Sequence, residues 1–462
     1  MQAAIAAGHP VTVEVGLEIL ADGGSAADAA VAACLASCVA ETVMTGILGG
    51  GHAIVYDAAS GRARNLDCFV AVPGLGSEPR EVELLELDVP FGLELVRYAV
   101  GIASCGVPGV MAGLEALHRE HGRLPWQRLV EPALRLAREG TEFPKAHAAC
   151  LAMLAAVMTM NEGERIYSPG GQLLRTGDRL EQPGLVRAFE LLAEEGPRSV
   201  YDGSLARALL ELMEERGGLV TQADLDAYET RWTEPVEVGY AGRRVLTRAG
   251  LSPFGEVLAH LPRLSGISPG ERACILARTL DGPGPEGHTT NLVTTDHEGN
   301  ACVLTTSLGL GSGDFLPGLD VHLNSMLGEA DLIRGALVPG ERMASMMVPS
   351  LALDDEGVAF AGGAAGGTRL RGALVQVAAG VLDEGLEPQE AVERPRLHPA
   401  AGLVQLEAGF PEEVPSALEA AGFEVRPWPT RHHYFGGVSV VTRTSAAGDP
   451  RRSGAAASLP RR

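Results

Sequence analysis

From residue 13 to residue 20 apolar side chains recur at helical spacing, and Asp22-Gly23-Gly24 then stops the run. Ser25 opens an alanine-rich stretch whose apolar core, residues 29–40, lies between Asp28 and Glu41. That core falls short of the roughly 20 residues a membrane span requires, so it reads as a buried helix. Residues 52–56 and 64–69, on either side of Ser60-Gly61, have the composition of two adjacent strands. Helical text follows over 106–140, with Pro108 and Pro132 near two helix starts. It resumes over 179–215 around a Gly196-Pro197 turn and over 224–228, ahead of a strand at 240–247. Residues 251–287 are rich in Gly, Pro and Ser and read as an exposed loop. Two β-prone runs, 293–296 and 301–305, flank the turn residues His297-Glu298-Gly299-Asn300 and predict a hairpin. Beyond it, 351–361 and 438–442 read as strands, and 369–382 and 415–421 as helices.

This order of helices and strands is α+β, and the composition narrows what such a fold can do. A net charge of −22 in 462 residues repels nucleic acid and anionic membrane surfaces, and no local basic patch offsets it. Seven cysteines, an odd number without a CxxC pair, fit reduced thiols inside a cell, and no secretory signal is legible at the start. The expectation is a cytoplasmic protein that acts on a small molecule.

No GxSxG elbow is present, no HExxH or paired Cys and His suggests a metal, and the glycines at 46–51 lack the Lys-Ser/Thr of a phosphate loop. Neither a metal nor another cofactor is expected. The chemistry that remains is at Thr289, which opens the predicted hairpin. An internal threonine is a poor nucleophile. Cleavage after His288 would free an α-amine of pKa about 7.7 to 8 beside the same residue's Oγ, giving nucleophile and base together. On these residues alone, Thr289 is more readily an ordinary strand residue than a nucleophile. The segment from Gly362 to Arg369, GGAAGGTR, follows a strand and opens a helix, so its NH groups suit either an oxyanion or a bare turn.

Ordered motifs along nearly the whole chain decide between these readings: GLEILADGGSAADAAVAA, LGGGHAIVYD, GVPGVMAGLEALHREHGRLPW, GGLVTQADLDAY, TTNLVTTDHEGNA, GERMASMMVPS, GGAAGGTRL and DPRRSGAAA. In these the sequence resembles the gamma-glutamyltranspeptidase family. The resemblance implies a four-layer αββα N-terminal-nucleophile hydrolase that cuts itself between His288 and Thr289. A large subunit, 1–288, and a small one, 289–462, would remain together as one structural domain. It also implies Thr289 as nucleophile, Ser307 as the supporting hydroxyl, Gly366 and Gly367 as the oxyanion pair, and Ser345 as the serine of the lid element.

The departures lie where the family grips a γ-glutamyl group. Phe69 occupies the place of the arginine that clamps the substrate carboxylate. Gly309, or Leu308 with a small shift, replaces an asparagine; Asn291 replaces a histidine; and the amine-binding aspartate falls at Gly328 or Glu329. The expectation is a retained catalytic apparatus with a rebuilt pocket, resembling homologues in antibiotic pathways that cleave a carbon-carbon bond of an alkylproline precursor. The alternatives are a γ-glutamyl or other acyl hydrolase clamped by Arg64 or Arg342, and an uncleaved scaffold.

Overall fold

The computed structural model of the chain describes residues 1–78, 81–91, 94–281, 289–367 and 369–460. Ser25 starts the alanine-rich helix Ala26–Ala40 through a capping box. Its Oγ accepts the Asp28 NH at 3.0 Å, and the Asp28 carboxylate accepts the Ser25 NH at 2.9 Å. All 15 residues of the helix are buried. Their small side chains let it lie flat on a sheet while Pro10–Ala21 and Trp126–Glu139 pack around it.

That sheet has seven strands, in the order Ala455–Ser458, Ala4–Ala7, Thr290–Thr295, Ala301–Ser307, Gly50–Asp57, Arg62–Cys68 and Arg231–Thr233. A second sheet has six, in the order Ala446–Gly448, Gly437–Thr442, Gly357–Ala365, Ser350–Asp354, Arg243–Thr247 and Val236–Tyr240. Successive side chains on one strand serve different cores, as a two-residue period requires. Leu292 and Leu304 join the core beneath the helices, whereas Val293 and Val303 meet Leu351, Ala361 and Val441 between the sheets. Outside the second sheet, Leu374 and Val377 of helix Arg369–Leu382 cover Ala352, Phe360 and Val440. The layers are therefore α, β, β, α, as expected. Strands from before and after Thr289 are interleaved in the first sheet, so the two halves of the chain share one hydrogen-bonded framework.

Several local expectations are corrected. Residues 240–247 are not one strand: Ala241 and Gly242 take positive φ of 50° and 74°, and join Val236–Tyr240 to Arg243–Thr247 in a hairpin. The supposed loop at 251–287 carries helices Phe254–His260 and Pro269–Leu280, the second capped by Ser268. Apolar residues at helical spacing, Ala273, Leu276, Ala277 and Leu280, were masked by the surrounding Gly and Pro. Pro132 sits inside helix Trp126–Glu139 rather than at its start. Residues 351–361 split into Ser350–Asp354 and the start of Gly357–Ala365. Among the described residues, no helix is long and apolar enough to cross a membrane.

Candidate active site around Thr289

Thr289 stands at the head of strand Thr290–Thr295 near the middle of the seven-stranded sheet, and only 4% of its surface is exposed. The adjacent strand runs antiparallel with Thr290 opposite Thr306, so continuing the register by one residue sets Ser307 opposite Thr289. Ser307 is buried, and its Oγ accepts the Gly309 NH at 2.9 Å. Two hydroxyl residues thus meet at one end of a rigid hairpin. His288, the residue on the other side of the expected cut, lies outside the described residues.

Thr289, Thr290 and Asn291 line a pocket together with Glu41, His147 and Arg452. Asn291 is fixed from within its own hairpin. Its Nδ2 donates to Thr305 Oγ1 at 2.8 Å and to the Leu304 carbonyl at 3.2 Å, and its Oδ1 has no partner among the described residues. The facing sheet accommodates this side chain with Gly363, where a Cβ would come within 2.1 Å of Asn291 Nδ2.

Strand Gly357–Ala365 ends where Ala365 pairs with Gly437, and the chain turns through Gly366 and Gly367, with φ of 131° and 58°, into helix Arg369–Leu382. Both glycines lie beyond the ladder, and their NH groups donate to no described residue. Ala365 lines the Thr289 pocket, and Gly366 and Gly367 follow it directly in the chain. A Cβ on Gly366 would lie 2.9 Å from Gly436 Cα and 3.4 Å from Arg452 Nη2, so this turn is pressed against the pocket wall.

Gly309, Glu329, Phe69 and Ser345 form a neighbouring group. Gly309 has φ of 70°, and a Cβ there would come within 2.4 Å of Glu329 Oε1 and 2.7 Å of Ser325 Oγ. Glu329 is buried with Oε1 unpartnered, and desolvation, reinforced by Asp331, lifts its pKa to about 8. Phe69 is buried and stacks on His52 with ring centroids 5.4 Å apart. Its ring belongs to an apolar cluster with Met326, Leu327, Met343, Met346 and Met347. Ser345 stands within the same methionine segment; its Oγ accepts the Met347 NH, and its carbonyl accepts bonds from the Leu251 NH and Arg248.

Neither arginine considered as a substitute clamp is available. Arg342 donates to the Phe69 and Glu229 carbonyls, approaches Asp67 and covers the Tyr228 ring. Arg64 pairs with Glu120 and lies 4.4 Å over Trp232.

Two pocket residues escaped the sequence reading. Glu41, which had marked only the polar end of an apolar run, is 1% exposed and accepts hydrogen bonds from Thr290 Oγ1 at 2.5 Å and Thr12 Oγ1 at 2.8 Å. Desolvation raises its pKa to about 7 despite those two bonds. Arg452, in the DPRR segment, is 6% exposed in the pocket wall. The signal for Glu41 was an acid directly following a continuous helix core; the DPRR segment gave none. His147 is held neutral, mainly by burial and then by His9 and Arg452, so it cannot serve as an acid near neutrality.

Known proteins share this chain's sequence pattern and its fold. A family model described as gamma-glutamyltranspeptidase matches residues 12–272 and 276–459. An acylase ACY 1 proenzyme from Pseudomonas sp. strain V22 is 29% identical over 90% of this chain and 86% of its own length. A glutathione hydrolase proenzyme from Bacillus subtilis strain 168 is 24% identical over 90% of this chain and 84% of its own length. The crystal structure of a cephalosporin acylase from Bacillus halodurans superposes with a TM-score of 0.82 at 22% identity, covering 99% of this chain and 95% of the other, and so shares the fold.

Proposed function

Because the chain belongs to the gamma-glutamyltranspeptidase family, and is thereby a hydrolase or transferase enzyme, we propose that it matures by self-cleavage and then hydrolyses an acyl amide other than a γ-glutamyl one. The observation that carries this reading is Thr289, buried at the head of a sheet strand with Ser307 opposite and a glycine turn directly after the pocket residue Ala365, its NH groups donating to no described residue.

In maturation, Thr289 Oγ attacks the His288 carbonyl carbon, and the peptide C–N bond breaks as the nitrogen takes up the hydroxyl proton. The resulting ester is hydrolysed by water. His288 becomes a carboxylate, and Thr289 gains a free α-amine. In turnover this amine removes the Oγ proton as Oγ adds to the substrate carbonyl, and the NH groups of Gly366 and Gly367 hold the oxyanion. The α-ammonium then protonates the departing nitrogen, and water releases the acid.

An amide is preferred over a ketone because a leaving amine accepts that proton directly, whereas a leaving carbon would require a further group to stabilise its electron pair. The proenzyme relatives, an acylase and a glutathione hydrolase, support the same preference. A substrate other than γ-glutamyl follows from Phe69 and its methionine neighbours, which place apolar surface where the family resemblance puts a carboxylate clamp.

Intact-mass analysis of purified protein tests the maturation step. Two masses, for residues 1–288 and 289–462, are expected from wild type, and one full-length mass from Thr289→Ala. An active wild-type protein that stays whole would overturn the mechanism.

A further inference from the structure

Self-cleavage needs a base before the enzyme has made one. In turnover the α-amine of Thr289 takes the Oγ proton, but in the uncut chain that nitrogen belongs to a peptide bond and its lone pair is delocalised. Another group must take the proton from Oγ and return it to the nitrogen as the bond breaks. The titratable side chains lining the Thr289 pocket, among the described residues, are Glu41, His147, Asp449 and Arg452. Burial, then His9 and Arg452, keep His147 from holding a proton. Asp449 is committed to Arg396, Arg451 and the Val438 NH. Arg452 retains its proton as any guanidinium does.

Glu41 differs from these three in being joined to the strand that Thr289 heads. Its Oε2 accepts the Thr290 hydroxyl at 2.5 Å, and its Oε1 accepts the Thr12 hydroxyl at 2.8 Å. Gly8 keeps the approach to Oε2 clear of side chains: a Cβ there would stand 2.6 Å from Oε2 and 2.9 Å from Thr290 Oγ1. Ala7 is opposite Leu292, so one further step of the register sets Gly8 opposite Asn291, and both line the same pocket. Consecutive Cα atoms are about 3.8 Å apart, which sets Thr289 within the span of one hydroxyl bridge from the carboxylate.

We infer that Glu41 carries the proton of self-cleavage, accepting it from Thr289 Oγ by way of the Thr290 hydroxyl and delivering it to the Thr289 nitrogen. This rests on the preceding assignment of Thr289. As Oγ bonds to the His288 carbonyl carbon, Thr290 Oγ1 passes its own proton to Oε2 and receives the one from Thr289. When the C–N bond breaks, the relay runs back to the nitrogen, which leaves as an amine, and Glu41 is a carboxylate again. Such a relay requires an acid that exchanges its proton near neutrality, and burial raises Glu41 to about 7 against its two hydroxyl bonds. The other titratable groups nearby add no charge in that range. Cys38, three residues earlier, stays a thiol because Cys34 and burial push its pKa up, and His9, beside His147, is lowered to about 4 by burial.

Self-cleavage can be timed without any substrate. Cell-free synthesis of the full chain, followed by transfer to buffers between pH 5 and 9, lets a gel resolve the intact chain from the pieces 1–288 and 289–462. The wild-type rate should rise with pH along one limb centred near 7 and then level off, because only the ionised carboxylate accepts a proton. Glu41→Gln should cleave about 10² to 10⁴ times more slowly, the usual worth of a positioned acid–base group, and without that limb. Glu41→Asp retains a carboxylate and covers the case in which the Gln variant fails to fold; it should cleave slowly with the limb kept. Cleavage of Glu41→Gln at the wild-type rate would overturn the proposal. Slow cleavage of Glu41→Gln that keeps the limb would overturn it too, since Glu41 would then serve packing alone. A wild-type chain that never cleaves would refute the maturation reading itself, whereas normal cleavage of Glu41→Gln beside an inert Thr289→Ala would leave that reading standing and remove Glu41 alone.

Discussion

Thr290 donates its hydroxyl to Glu41 across 2.5 Å, tying the residue next to the proposed nucleophile to the C-terminal end of the buried helix Ala26–Ala40. A carboxylate there faces both desolvation and the negative end of the helix dipole. Its pKa of about 7 in the fold, against an ordinary 4.5, means that the folded state binds the proton more tightly than the unfolded state. Stability from this group is therefore fully present below pH 4.5 and is lost as pH rises through 7, by about 3 kcal/mol at about 1.4 kcal/mol per pKa unit. Glu329, raised to about 8 by its own burial, acts with the same sign over a window reaching higher pH. The melting temperature of Glu41→Gln should fall less than that of wild type between pH 5 and 8. Parallel curves would show that Glu41 ionises without penalty.

Gly367 has φ of 58°, a value that disfavours any side chain, and its NH is one of the two proposed oxyanion donors. Gly367→Val should rotate that NH away and lower kcat by about 10² to 10³, with a much smaller change in KM. Unchanged turnover in a folded, processed variant would remove the turn from the mechanism.

Gly309 is required by geometry as well as by backbone conformation. A methyl group at this position would come within 2.4 Å of Glu329 Oε1, and Glu329, 3% exposed, has little space to retreat. Gly309→Ala should destabilise the protein by about 1 to 3 kcal/mol in urea titration. A neutral result would mean that the Glu329 carboxyl moves freely.

Much of this was readable from the chain because local signals and tertiary roles coincided. The Ser25 cap, the hairpin around His297 to Asn300 and the start of a helix at Arg369 each depend on a few adjacent residues. Thr289 was visible as chemistry only through ordered motifs, since a threonine beginning a strand carries no signal of its own. Glu41 and Arg452 were illegible for a different reason. Charged residues are ordinarily solvated, and only the fold shows that one ends a buried helix and the other is enclosed near Gly366 and Gly437. The helices within 251–281 were obscured because Gly and Pro mark their ends as well as loops.

The last prediction concerns Phe69. A γ-glutamyl donor presents a carboxylate and an ammonium together, and each must be paired when it leaves water. Around Phe69 the structure offers His52, whose pKa is lowered mainly by burial and then by Arg248 and Arg342, and the side chains of Met326, Met343, Met346 and Met347. Arg342, one of the two arginines expected as substitute clamps, is already committed to the Phe69 carbonyl. Processed wild-type enzyme should therefore release almost no chromophore from a γ-glutamyl anilide. Phe69→Arg should not create that activity, because the new guanidinium would be buried among thioethers, with the nearby Asp67 already engaged by the Phe69 NH and Arg342, and the variant should lose about 3 kcal/mol or more of stability. Phe69→Leu, which keeps the site apolar, should cost about 1 to 2 kcal/mol as a cavity and leave processing intact. Efficient γ-glutamyl turnover by wild type would mean that the donor is gripped elsewhere and that Phe69 only fills the core. Turnover gained in Phe69→Arg would show that the methionine cluster opens to admit both the charge and its ligand.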